Sequence, residues 1–439
     1  MKKVSPKDFI VIGFALFAMF FGAGNLIFPP YIGKLAGDQT PLAIIGFLIT
    51  GVGLPLSGII ACAKINGSFT DMSRRVGKIF SIIATTALVL AIGPMLAIPR
   101  TAATTYELAI HPIFPSVSPV IGVIIYFGIC LAFVLRPSGI IDNIGKILTP
   151  ILLVMLGIII VKGVLVPLGP VVETNYQGAF SNSLLEGYQT MDAMASVIFA
   201  SIVLTSVKAK GYTDKKDIIN ATIKSGLVAV VGLTFVYGGL MILGSQVSTI
   251  ITEDIGRSAL VVEIVGRHLG SLGTVVLGLS VGLACLTTAI GLISTGAEYF
   301  SGLTKGKVSY NIFAIIISTV SALLGTGGVE KIVQFAGPVL QILYPIVIVL
   351  IIITLAGKFV SNNNTVKITI YTTLIISILD TVNGLTNGSI TSLNKLVSTI
   401  PLASLGFAWV IPTFIAFIIG MMLFKNKSLN NESETLEIN

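Results

Sequence analysis

Apolar runs of about twenty residues recur along the whole chain, separated by short polar stretches that carry most of the charge. A run of that length matches the hydrocarbon thickness of a bilayer when it is helical. Twelve such runs can be read, near 9–31, 41–63, 79–108, 118–135, 144–166, 178–207, 221–245, 271–300, 308–325, 329–355, 367–389 and 401–424. The pattern predicts an all-α polytopic membrane protein of about twelve transmembrane helices.

The loops between the runs alternate in character. The N-terminus (Lys2, Lys3, Lys7) and the loops at 64–78, 136–146, 208–216, 305–307 and 358–367 are basic, as is the start of the tail at Lys425 and Lys427. The intervening loops 32–40, 109–117, 167–177, 246–268, 326–328 and 390–400 are poor in basic residues or mixed. Basic loops stay in the cytoplasm, so both termini are predicted to be cytoplasmic. A miscounted span would break the alternation halfway. Residues 1–425 then form a single transmembrane domain, and 426–439 a polar cytoplasmic tail without apolar periodicity.

Composition adds limits. The 439 residues are 54% hydrophobic and 10% charged, with a mean hydropathy of +0.98; a soluble fold cannot hide so much apolar surface. The net charge of +8 resides in the loops, where it orients the chain rather than forming a nucleic-acid surface. Cys62, Cys130 and Cys285 lie in or beside apolar runs and read as small buried hydrophobes. The two histidines, His111 and His268, are predicted in outer loops, and there is no HExxH, His/Cys cluster or Walker loop. An enzyme, an ATP-driven pump in one chain, an organic cofactor and an obligatory protein partner therefore all lack a signal.

Two runs are interrupted in matching ways. In "FALFAMFFGAGNLIFPPYIG" (14–33) the apolar run breaks at Gly22-Ala23-Gly24-Asn25 and again at Pro29-Pro30. Backbone can unwind at membrane depth only where it faces protein, water or ligand. Unwinding near Gly22–Asn25 leaves an outer half-helix starting with free N–H groups and a positive dipole end, suited to a carboxylate, and an inner half ending in carbonyls suited to a cation. The alternative is that the glycines serve close helix packing. In the sixth run, "EGYQTMD" (Glu186–Asp192) places polar and acidic residues inside an otherwise apolar segment. Spans 1 and 6 open the two halves of a 5+5 division, about 9–166 and 178–355, with two extra helices at about 367–424. Five being odd, the repeat is inverted, and paired interruptions mark a transport site. The carbonyls that end the outer half-helix of span 6 could take a substrate ammonium, while Asp192 either pairs with a cation or braces the broken helix.

Two further features stand out. "ACLTTA" puts Thr287 and Thr288 mid-span after Ala284, either as hydroxyl ligands for a monovalent ion or bonded back to their own helix turn. "IGPMLAIPRTAATTYE" (92–107) carries Pro94 and Pro99, which are predicted to bend the helix, and an intramembrane Arg100, which either snorkels to the outer interface or pairs with Glu107 or Glu186 in a gate. Asp380 is also intramembrane, with no role that the pattern assigns.

The segments "FALFAMFFGAGNLIFPPYIG", "GPMLAIPRTAATTYE" and "EGYQTMDAMASVIFA" closely resemble hallmark segments of the bacterial branched-chain amino acid:cation symporter family, and the likeness runs over essentially all of the chain but its tail. The resemblance implies a LeuT-like inverted-repeat fold with helices 1 and 6 broken, and sodium-coupled uptake of leucine, isoleucine and valine. It also implies that the substrate carboxylate meets backbone N–H groups at Ala23 and Gly24 beside Asn25. A sodium ion would sit between the carbonyls of Ala18, Phe21 and Ala284 and the hydroxyls of Thr287 and Thr288. Gln189, Thr190, Met191 and Asp192 form the facing zone. Alternatives from other classes are a proton-coupled or exchange transporter in which Asp192 or Glu186 titrates, and a membrane amino acid receptor that binds without turnover.

Overall fold

The protein, seen here as a computed structural model, is described for residues 5–136, 140–253 and 255–424, with 140–149 given by backbone alone. Lys2, Lys3, Lys425, Lys427 and the tail 426–439 lie outside the described residues, as does the side chain of Lys146. The described residues are mostly helical and contain no strand. In chain order the α-helices are α1 (Pro6–Phe20), α2 (Ala23–Ala36), α3 (Thr40–Leu48), α4 (Leu54–Ile65), α5 (Phe69–Arg74), α6 (Lys78–Leu90), α7 (Ala97–Thr105), α8 (Pro119–Leu135) and α9 (Ile140–Leu165). There follow α10 (Ala179–Tyr188), α11 (Asp192–Ala209), α12 (Lys215–Ser245), α13 (Arg257–Leu303), α14 (Tyr310–Gly325), α15 (Val329–Ala356), α16 (Asn363–Leu385), α17 (Thr391–Ser398) and α18 (Val410–Leu423). Among the described residues, seven helical stretches are long and apolar enough to cross a membrane, and four shorter apolar helices accompany them.

Large apolar side chains face outward on the perimeter helices, among them Val231, Leu272, Leu323 and Met422, each more than two-thirds exposed. In water these would be a liability; against lipid tails they are at home. With no hydrophobic drive between helices in lipid, close packing depends on small residues. Gly33 of α2 lies where a Cβ would stand 1.9 Å from the Met241 carbonyl of α12, and Gly244 answers with the Pro30 carbonyl at 2.0 Å. Only glycine at both positions lets these two backbones meet.

The helices fall into two packed groups. Spans 1, 2, 6 and 7 gather, with α1 and α2 both against α12, α3 against α10, and α4 against α11. Spans 3, 4, 8 and 9 form the second group, α13 packing on α7 and α14, and α14 on α8. Helix α9 lies against α12 and α13, while α15, α16 and α18 pack in succession at the side of α4. The buried apolar residues form two clusters, and Met19, just before the break in span 1, packs on both.

Three details differ from the sequence expectation. Span 1 breaks at Phe21 and Gly22, both extended, and α2 resumes at Ala23 and runs through Pro29 and Pro30. Span 3 bends at Gly93–Leu96, whereas Pro99 sits in the first turn of α7, where a proline costs no hydrogen bond. The segment expected to be a loop at 246–268 is helical from Arg257 onward. It turns at Gly270 (φ 67°) into the eighth span, and His268 is buried in it.

Candidate functional site

The breaks in the two spans meet, and side chains tie them together. Gly22 is extended (φ −124°, ψ −166°), which stops α1, and its N–H donates to Asn25 Oδ1 at 2.9 Å. Asn25, the third residue of α2, thus caps its own helix start. Its Nδ2 donates across to Asp192 Oδ2 at 2.6 Å and to the hydroxyl of Tyr237 on α12, and Tyr237 Oη donates to the same Asp192 oxygen at 3.1 Å. Asn25, Asp192 and Tyr237 are all buried. The break in span 6 has its own device. Helix α10 ends at Tyr188, Thr190 Oγ1 donates back to Gly187 O at 2.9 Å, and Met191 takes a left-handed φ of 63° before α11 begins at Asp192.

Arg100 enters this junction from α7. It is buried, its Nη1 donates to the Gln189 carbonyl at 2.6 Å, and its guanidinium lies 5.3 Å from the Phe28 ring centre. A Cβ on Gly24 would stand 2.8 Å from Arg100 Nη2. The side chain therefore touches neither Glu107 nor Glu186. Glu107 Oε1 accepts the Val329 N–H at 3.0 Å at the start of α15. Glu186 Oε1 lies 3.5 Å from Arg257 Nη2. The gate-like cluster is built on Arg257, which sequence reasoning missed. Its Nη1 pairs with Glu330, its own N–H donates to Glu330 Oε1 at 2.8 Å, and its guanidinium covers the ring of Tyr31 at 4.1 Å and that of Phe28 at 5.5 Å. Phe28 thus lies between two cations, Arg100 toward the breaks and Arg257 toward the helix ends. Tyr237 was missed as well. An aromatic residue in an apolar span gives no pattern that sets it apart from core.

The residues expected to hold an ion lie on two separate elements. Phe21 N–H closes the last turn of α1 on Phe17 O at 2.8 Å, leaving the carbonyls from Ala18 to Phe21 as helix-end acceptors. Thr287 and Thr288 are half-buried in α13, and both hydroxyls donate to Ala284 O, at 2.9 and 3.0 Å. A hydroxyl that has given its proton to a carbonyl keeps its oxygen lone pairs, so the threonines fit a hard monovalent cation. The Ala284 carbonyl, already accepting both, fits less well. Helix α1 packs on α11 and α12, whereas α13 is packed against α2, α7, α9 and α14.

A helical bundle whose two broken spans meet at a buried polar junction is an arrangement found in membrane transporters. Solved structures share the fold. The inward-facing conformation of Mhp1 matches with a TM-score of 0.60 at 15% identity, over 94% of this chain and 90% of that one. MhsT in complex with L-phenylalanine matches with a TM-score of 0.51 at 16% identity, over 96% and 98%. The fold is LeuT-like, with helices 1 and 6 broken. The family model "Branched-chain amino acid transport protein" matches residues 5–427. Branched-chain amino acid permease BraB of Bacillus subtilis is 40% identical over 96% of this chain and 97% of its own length. Permease BrnQ of Salmonella typhimurium is 32% identical over 96% of each. The chain belongs to the branched-chain amino acid transport protein family, and it is a multi-pass membrane transporter, not an enzyme.

Proposed function

We propose that the protein imports leucine, isoleucine and valine across the bacterial cytoplasmic membrane, driven by sodium, by alternating access. The observation that carries this reading is the junction of the two breaks. The free N–H groups of Ala23 and Gly24 at the start of α2 face the carbonyl end of α10 at Gln189 across a buried, hydrogen-bonded link. An amino acid brings a carboxylate for the first and an ammonium for the second. Its aliphatic side chain would lie among spans 1, 3, 6 and 8. A pocket of that kind separates substrates differing by one methylene by only about 1–3 kcal/mol, so the three branched-chain amino acids share it.

With basic loops taken as cytoplasmic, the Arg257–Glu186–Glu330 cluster shuts the outer end. The cytoplasmic half of span 1 is tied to the segment after α11. Ser5 N–H donates to Tyr212 Oη at 3.0 Å, and Tyr212 Oη donates to Asp8 Oδ2 at 2.9 Å. The inner halves of spans 1 and 6 therefore move together. Sodium between the α1 carbonyls and the Thr287 and Thr288 hydroxyls would draw α1 toward α13, and coupling is that differential affinity. The group of spans 1, 2, 6 and 7, drawn from both repeats (about 9–166 and 178–355), rocks against the group of spans 3, 4, 8 and 9. Proton coupling through Asp192 is the second reading. Asp192 Oδ2 already receives donors from both Asn25 and Tyr237, so a proton arriving on that oxygen would displace one of them.

The test is uptake of labelled leucine by the purified protein in liposomes, competed by unlabelled amino acids. Isoleucine and valine are expected to abolish the signal, and lysine and glutamate to leave it intact. Binding without accumulation would instead make the chain a receptor.

A further inference from the structure

We propose that Arg100 binds the substrate carboxylate, forming with the first turn of α2 a two-part anion receptor; the assignment rests on the amino acid reading above. Three observations converge on it. First, Arg100 is 3% exposed and among the described residues no carboxylate lies within 4 Å of it. One Nη donates to Gln189 O at 2.6 Å, while Nε has no hydrogen-bond partner. Asp192 is the nearby carboxylate whose charge Arg100 senses, but it makes no direct contact, and a buried charge without a contacting partner pairs when it can.

Second, the guanidinium is pressed against the wrong end of a dipole for its sign. Nη2 comes so close to Gly24 that a Cβ there would stand 2.8 Å from it and 3.2 Å from Cζ. Gly24 is in the first turn of the 14-residue α2, where free N–H groups present partial positive charge. A buried cation and a helix N-terminus repel each other. An anion bound between them turns both into donors. Third, the glycine and the arginine explain each other. Any side chain at position 24 would fill the approach, and Phe28, one turn on, offers its ring to the same guanidinium at 5.3 Å.

The ligand is then an α-amino acid with its carboxylate held from two sides, by peptide N–H groups of span 1 and by a fixed charge from span 3. Such a site discriminates against neutral analogues more steeply than a helix N-terminus could alone.

The competing role is structural, with Arg100 only pinning the Gln189 carbonyl. A ratio of ligands separates the two. Equilibrium binding of labelled leucine, and its competition by leucinamide, would be measured on the purified full chain at a pH where both ammonium groups are protonated. Wild type, Arg100→Gln and Arg100→Lys would be compared. The expected result is at least a thirtyfold rise in the Kd for leucine in Arg100→Gln, with the Kd for leucinamide changed less than threefold and Arg100→Lys in between. Parallel weakening of both ligands, or no change in either, overturns the assignment and leaves the amino acid reading standing. Should Arg100→Gln fail to fold, Arg100→Lys carries the same ratio, with a tenfold change expected. Leucine that does not bind the wild type removes the amino acid reading, and this assignment with it.

Discussion

Exchanging the partners of the buried link between spans 1 and 6 tests the junction most closely. Asn25 works in two directions, accepting from Gly22 N–H at 2.9 Å and donating to Asp192 Oδ2 at 2.6 Å. Asn25→Asp keeps the acceptor and loses the donor, setting two carboxylates against each other in a buried site. One must take a proton or the breaks must part. A hydrogen bond to a charged group contributes about 1.5–3 kcal/mol, and an unmet buried partner adds about 1–3 kcal/mol. The single variant should therefore lose about 3–5 kcal/mol of stability. Asp192→Asn alone should cost less, because Asn25 Nδ2 can still donate to the amide oxygen. In the pair Asn25→Asp with Asp192→Asn, the carboxylate introduced on span 1 would accept from Gly22 N–H and from the amide introduced on span 6, restoring every donor and acceptor in mirror order. Thermal unfolding in detergent should show the double variant regaining at least half of the Tm lost by Asn25→Asp, a coupling of about 2 kcal/mol. Losses that simply add, within about 0.5 kcal/mol, would refute the direct link.

Other expectations follow from the packing. Arg257→Gln removes the pairs to Glu330 and Glu186. Labelling of a cysteine at the neighbouring buried Ser258 by a membrane-impermeant maleimide should accelerate at least about fivefold, since even one charged hydrogen bond accounts for about 1.5–3 kcal/mol; unchanged labelling would show that Arg257 closes nothing. Cys62, Cys130 and Cys285 are free and buried, so they contribute little background. Gly33→Ala places its Cβ 1.9 Å from the Met241 carbonyl, and Gly244→Ala at 2.0 Å from that of Pro30. Backbone cannot yield there, and folded protein on a size-exclusion profile should fall severalfold, while Gly337→Ala, with nothing within 4 Å, keeps the wild-type yield. Tyr212→Phe deletes the hydroxyl joining Ser5 and Asp8 and should raise proteolytic cleavage near the N-terminus of α1, an effect absent if α1 is held by other contacts alone.

Much of this architecture is legible in the chain because lipid imposes simple rules. Apolar length marks spans, and a break at membrane depth must announce itself through residues such as Gly22, Gly24 and Asn25. The paired break at Glu186–Asp192 was readable for the same reason, since polar groups in hydrocarbon are rare. What could not be read was which charge meets which. Arg100 was visible as an intramembrane cation, but its placement against Gly24 and Gln189 depends on how α7 crosses both breaks. Arg257 left no trace because it lies in a mixed polar segment, where an arginine is unremarked. That segment did carry one overlooked signal. Leu260, Ile264 and His268, with Val261 and Val265, are spaced by four and share the buried face of the helix. The position of the break in span 1 was set by Asn25 folding back on Gly22, a local hydrogen bond that composition does not foretell.

We propose that sodium drives uptake through a site shared by α1 and α13. The direct measurement is accumulation of labelled leucine in proteoliposomes under an imposed sodium gradient with no proton gradient, wild type beside Thr288→Ala. The account predicts sodium-driven accumulation in the wild type that falls at least about tenfold in the variant, the loss of roughly one charge-assisted contact of about 1.4 kcal/mol or more. Accumulation that follows only a pH gradient would contradict it and transfer the coupling to Asp192.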